Sequence, residues 1–168
     1  AEKMYDFITN KLGLKLDKKL SVDELNNILN RPLRVCGVVK NTGEPGGGPF
    51  WARDKNGNIT LQIIESSQIA PEAKDIMKKS EYFNPVDLVC ATKDYNGNKF
   101  DLNKYIDKNT GFISEKSKNG KPLRAMTRPG LWNGAMANWN TVFVAVPITT
   151  FNPVKIVSDL LNAAHQTK

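Results

Sequence analysis

Histidine is all but missing from this chain: there is one, His165, among 168 residues. Nucleophilic hydrolases of the Ser–His–Asp or Cys–His type need an imidazole beside the nucleophile, and structural zinc needs four N or S ligands. One His near the end and two Cys supply neither, so we assign no structural metal. The two cysteines, Cys36 and Cys90, both lie in apolar strand-like runs. They read as a pair of buried core thiols in a reducing compartment, which places the protein in the cytoplasm. A disulfide between neighbouring strands is the less favoured alternative. No apolar run approaches the roughly 20 residues that a bilayer span needs, and no signal-like apolar region opens the chain. A membrane partner is therefore not expected. There is also no internal repeat and no low-complexity tract. Net charge is +7, yet the lysines are scattered and no basic stripe is interleaved with aromatics. That argues against a nucleic-acid partner and leaves an anionic ligand compatible.

What is present is centred on Leu33 to Ile69. An apolar run (Leu33, Val35, Cys36, Val38, Val39) leads into Lys40-Asn41-Thr42-Gly43-Glu44-Pro45-Gly46-Gly47-Gly48-Pro49, and a second run covers Ile59 to Ile64. Short apolar runs bounded by Gly, Pro and Asn read as buried strands. The Asn56-Gly57 pair marks a hairpin turn that makes 49–53 and 59–64 antiparallel neighbours. Hydrophobic content of 40% and charged content of 24% are ordinary for a single globular domain with a real core.

Elsewhere, Met4, Phe7, Ile8 and Leu12 fall at helical spacing and Gly13 ends that helix. Ser21 and Glu24 form a capping box for a helix to about Asn30, whose inward stripe is Val22, Leu25, Ile28 and Leu29. Pro71 suits the first position of a helix over 71–80. A third strand runs from Val86 to Ala91 with Asp87 as its one carboxylate, followed by a short helix over 101–106. Residues 107–131 read as a long polar excursion with two short strands, 112–114 and 122–125. The stretch 131–140 is small, aromatic and amide-rich, and 141–146 is the fourth clear strand. Asn152 and Pro153 then cap a final helix that buries Val154, Val157, Leu160 and Leu161. Strands interleaved with helices give an α/β or α+β class, with a mixed sheet of about five to seven strands flanked by helices. The expected organisation is a single domain over 1–168, with a helical lead-in over 1–30 and a sheet-and-helix body over 31–168. Because it begins with Ala, the chain reads as processed or as a piece of a longer protein.

Three places could carry chemistry. The glycine run Gly46, Gly47 and Gly48 follows a strand and could cradle phosphate with backbone N–H groups. It lacks the Gly-Lys-Ser/Thr ending and following helix of a P-loop, so a connection needing tight backbone passage is the alternative. Glu65 and Gln68 sit at a strand's C-terminal end, where ligands of open α/β sheets collect, and could serve either sugar hydroxyls or a helix cap. Asp87, read as buried in a strand, needs a partner, and Lys155 in a first helical turn opposes the helix dipole unless an anion binds beside it.

Three blocks taken together resemble a known family. Leu61–Glu72 (LQIIESSQIAPE) is similar to the UDP-glucose pyrophosphorylase block LLEIAQVP and to VVEYSEI of the UDP-N-acetylhexosamine enzymes. Phe83–Val89 falls where those enzymes have FNTNNLW, and Phe151–Leu161 (FNPVKIVSDLL) is similar to FLPVKTTSDLL. The order of the three is kept. Nearly all of 25–166 also resembles the C-terminal part of a bacterial domain-of-unknown-function family (4301), with its RVCG, GEPGGGPFW, GFISEKS and FNPVK segments. The pyrophosphorylase resemblance implies the C-terminal half of a glycosyltransferase-A-like nucleotidyltransferase and a reaction of NTP with sugar 1-phosphate, assisted by Mg2+. With a sugar phosphate or nucleotide sugar bound, it puts Glu65 on the sugar hydroxyls and Asn84 or Asp87 beside the sugar or the metal, and gives Lys155 the transition-state phosphate charge. The glycine-rich nucleotide loop of those enzymes is absent and Asp87 stands where they have an amide. The resemblance thus implies a missing N-terminal nucleotide-binding half as partner, and no turnover by this chain alone.

Overall fold

The computed structural model describes residues 1–16, 19–43, 47–54, 57, 59–85, 87–130 and 134–166. Gly46, Asn56, Val86 and Trp132, which figure in the sequence reading, lie outside them. Among the described residues, eight strands and three α-helices make a mixed α/β fold. Helix α1 (Glu2–Asn10) and helix α2 (Val22–Leu29) come first. The capping box of α2 forms as expected: Glu24 N–H donates to Ser21 Oγ at 3.3 Å, and Ser21 N–H donates to Glu24 Oε2 at 2.8 Å. Ile8, Leu12 and Leu25 are buried together, packed by Leu33 and Val142 from the sheet. The helical lead-in thus shares its core with the body.

Strand β1 (Leu33–Lys40) is the centre. Two antiparallel strands share one of its sides. Strand β4 (Tyr82–Phe83) meets Val39 and Lys40, and β5 (Leu88–Ala91) meets Leu33 to Cys36. On its other side β8 (Asn140–Ala145) runs parallel, from Leu33↔Asn140 to Val38↔Ala145. Strands β2 (Gly48–Arg53) and β3 (Ile59–Ile64) form the expected antiparallel hairpin, with Gly48↔Ile64 and Arg53↔Ile59 at its ends. A bridge between Gly47 and Asn84 carries the ladder from β4 to this hairpin.

Several expectations are corrected. The excursion over 107–131 holds two full strands, β6 (Phe112–Lys118) and β7 (Lys121–Thr127), joined at Asn119-Gly120. Both turn residues have positive φ, 52° and 75°, the geometry of a tight primed turn. Over 71–80 there is a 3-10 turn (Pro71–Ala73) and a single turn of helix α3 (Asp75–Lys78), not one helix. The final helix is replaced by 3-10 turns at Val157–Leu161 and Ala163–His165. Its intended buried stripe is exposed, Val157 at 84% and Leu161 at 77%. Asn152 Nδ2 donates back to Thr149 O instead of capping a helix forward. Among the described residues no surface covers this stripe, so burial does not stabilise it as a helix. Cys36 is buried as expected, but Cys90 is exposed on edge strand β5. Among the described residues no helix is long and apolar enough to cross a membrane.

Candidate functional site

Two glycines with close neighbours organise the region at the end of β3. A Cβ on Gly47 would lie 2.6 Å from Ile63 Cγ2 and 3.8 Å from Glu65 Cγ. Only a residue without a side chain lets the backbone pass there. Gly47 O accepts from Asn84 N–H at 2.8 Å, so this one residue ties the Glu65 turn to β4. Gly37, in β1, does the same one strand over. Its carbonyl accepts from Asn84 Nδ2 at 2.5 Å, its N–H donates to Asp87 O at 2.8 Å, and a Cβ would come within 2.4 Å of Asp87 Oδ2. Glu65, Asn84 and Asp87 therefore meet in one continuous line of contacts, Glu65–Gly47–Asn84–Gly37–Asp87.

The individual roles differ from their sequence reading. Asp87 is exposed just before β5, so the desolvation cost inferred for a buried carboxylate does not arise. Asn84 is buried and its amide N–H joins two strands. Gln68 Oε1 accepts Glu65 N–H at 3.0 Å, the capping arrangement of the 3-10 turn Ser66–Gln68. Gly47 and Gly48 are buried at the head of β2, where a Cβ on Gly48 would strike the Phe50 ring at 2.7 Å. The close approach they allow is to the protein's own side chains. Lys155 is exposed, and its N–H donates to Asp159 Oδ2 at 2.8 Å. Two such backbone donors, from Ile156 and Lys155, hold the Asp159 carboxyl below its ordinary range. The Lys155 segment is anchored where Phe151 packs edge-on against Phe83 at 5.1 Å between ring centroids, one residue from Asn84.

A polar network beneath the hairpin was not singled out in the sequence. Arg34, 2% exposed, lies in β1 directly across from Thr141. Its Nε donates to Thr141 Oγ1 at 2.9 Å and its Nη2 to Gln62 Oε1 at 3.2 Å. Gln62 Nε2 in turn donates to Ala137 O at 2.9 Å, fastening the amide-rich 134–140 turn to β3. Desolvation lowers the Arg34 pKa, with the Cys36 and Cys90 thiols opposing it. The signal was available: Arg34 and Gln62 interrupt apolar strands just as Asp87 interrupts its own run. Gln62 also lines a cleft of about 670 Å³ between α2, the β2–β3 hairpin and the 107–110 and 134–140 segments. Gln68 reaches its edge.

The described residues contain no group of three or more His, Cys, Asp or Glu able to hold a metal ion. Mg2+ is commonly held by one or two carboxylates together with substrate phosphates. Glu65 and Asp87 are the carboxylates of this line among the described residues, and without substrate phosphates they do not make up a resident Mg2+ site, so no step is derived through one.

No curated protein sequence matches the chain significantly. Among solved structures it is similar to the UDP-glucose pyrophosphorylase of Leishmania major. One mutant of that enzyme in complex with UDP-glucose superposes at 20% identity and a TM-score of 0.45. Another such complex gives 19% and 0.46, and the open and closed structures give 20% and 0.45. Each alignment covers 89% of this chain and 34% of the enzyme, so the chain spans about a third of that protein's length. The sequence matches the family model described as "Domain of unknown function (DUF4301)" over residues 1–166, and the chain belongs to that family.

Proposed function

We propose that this chain is the sugar-phosphate-binding half of a nucleotidyltransferase-like protein, working beside a nucleotide-binding half. One observation carries the reading. The three blocks that resemble the pyrophosphorylases are far apart in sequence and converge around β4. Glu65 of the first block lies against Gly47, Gly47 is bonded to Asn84 of the second, and Phe83 beside it is packed by Phe151 of the third. On this reading Glu65 accepts from sugar hydroxyls, Asn84 positions the strands around it, and Lys155 neutralises phosphate charge. Gly46, Gly47 and Gly48 shape the connection, and Mg2+ arrives with the nucleotide's phosphates. The two thiols accord with a cytoplasmic protein.

A non-catalytic binding or structural domain is the second reading. It is favoured by the internal use of the Gln68 oxygen and the Asn84 amide. A thermal-shift screen of the chain and of the longer protein separates the two. It uses sugar 1-phosphates, nucleotide sugars and pyrophosphate, each with and without Mg2+. A ligand at 100 times its Kd adds about 2.7 kcal/mol to stability. Stabilisation by a sugar 1-phosphate that Glu65→Ala and Lys155→Ala both abolish supports the first reading. A folded longer protein that none of these ligands stabilises removes it.

A further inference from the structure

We propose that the cleft beneath the β2–β3 hairpin binds a small phosphate-bearing anion, at a site distinct from the Glu65–Asn84 line. Among the described residues four cations line it, Lys15, Arg31, Arg53 and Lys108, against two carboxylates, Asp54 and Asp107. None of the four makes an ion pair among the described residues. Lys15 Nζ lies 4.8 Å above the Trp51 ring, Arg31 Nε donates to Asn27 O at 2.9 Å, and Arg53 Nη1 donates to Gly57 O at 3.0 Å. Behind them the buried Arg34 guanidinium reaches the cleft wall through Gln62, and both of its acceptors are neutral. Lys15, Arg53 and Lys108 stand exposed at the rim and Arg31 is half-buried, whereas Arg34 is removed from water without a counter-charge, which is costly, and an anion in the cleft supplies that charge. Burial also lowers the pKa of Arg31 and of Arg34, consistent with cations short of an anion.

Trp139 lines the same wall. Trp139 is buried, and its Nε1 is a buried side-chain donor without an acceptor among the described residues. Leu14, Leu16, Ile28, Ile59 and Ile106 supply apolar surface around these polar groups. A cleft of about 670 Å³ whose lining is divided between apolar and polar residues has room for a ligand the size of a nucleotide or smaller. The phosphate can be free or carried on an organic body. The proposal does not depend on the sugar-phosphate reading, since none of the four cations belongs to the Glu65–Asn84 line.

The test is calorimetric titration of the full chain with pyrophosphate and, separately, with a nucleoside diphosphate, at fixed ionic strength. Two double variants, checked for folding by circular dichroism, remove equal charge: Arg53→Gln with Lys108→Gln inside the cleft, and Lys116→Gln with Lys118→Gln on the β6–β7 hairpin. Saturable binding that the cleft pair weakens about tenfold or more, and the hairpin pair by less than about twofold, is expected, since phosphate bonds to cations are charge-assisted. Tighter binding of the nucleoside diphosphate assigns the apolar wall to the organic body, and equal binding assigns the site to phosphate alone. Either supports the proposal. No saturable binding to the folded chain, or equal weakening by both pairs, overturns it.

Discussion

Helix α2 and the C-terminal segment carry the same kind of sequence signal and end in different states. Both have an apolar stripe at helical spacing and a residue suited to capping: Ser21 ahead of Leu25, Ile28 and Leu29, and Asn152 ahead of Val154, Val157 and Leu161. The first forms an α-helix whose Leu25 is 1% exposed against Ile8 and Leu12. The second remains a string of 3-10 turns with its apolar residues in solvent. Caps and periodicity are worth about 1 kcal/mol or less each, whereas burying a Leu or Val side chain is worth about 1.5–3 kcal/mol. A short helix therefore needs a surface to cover. The α1 stripe and the sheet residues Leu33 and Val142 provide one for α2.

That contrast can be tested at several strengths. Leu25→Ala should cost about 2–5 kcal/mol in urea denaturation, because it opens a cavity in the core that α2 shares with α1. A loss below about 1 kcal/mol would mean that the α1–α2 core contributes little. Asn84→Ala strips a buried donor from Gly37 O and should cost about 1–3 kcal/mol by the same measurement. Ser21→Ala removes the oxygen that accepts Glu24 N–H, with an expected loss of about 1 kcal/mol. Val157→Ser, at the exposed C-terminal turn, should change stability by less than about 0.5 kcal/mol. A larger loss would show that this segment is packed in solution.

A pH slope tests the buried thiol. Burial pushes the Cys36 thiol up from 9.0 to about 11, against the pull of Arg34. The unfolded chain therefore gives up this proton first. Stability from the neutral thiol is complete below about pH 9 and declines as the pH rises toward 11. Denaturation midpoints of wild type and Cys36→Ala, compared between pH 8 and 11, should converge as the pH rises. Identical slopes would show that Cys36 ionises as freely in the native state as in the unfolded one. Alkylation under native conditions should modify the exposed Cys90 and spare Cys36.

Much of the secondary structure was legible because its cause is local. Ser21 and Glu24 satisfy each other's neighbouring donors whatever surrounds them. Apolar runs between Gly, Pro and Asn give β1, the β2–β3 hairpin and β8. The β6–β7 hairpin was equally local, since Asn119-Gly120 is the same turn signal as Asn56-Gly57. Its polar, exposed strands have no apolar run to mark their length, so only 112–114 and 122–125 read as strand.

The candidate sites were legible only in part. Glu65, Asn84 and Asp87 could be picked out one by one, but nothing local says that Gly47 and Gly37 join them. The cleft was invisible, because Arg31, Arg53 and Lys108 read as solvated charges until the fold sets them around one volume. Sequence alone determined which segments could be strands and where α2 begins. Tertiary structure decided whether the last apolar stripe becomes a helix, which thiol is buried, and whether the Arg34 charge is buried among neutral partners. Those outcomes depend on burial and on contacts between residues distant in the chain, which only the folded molecule brings together.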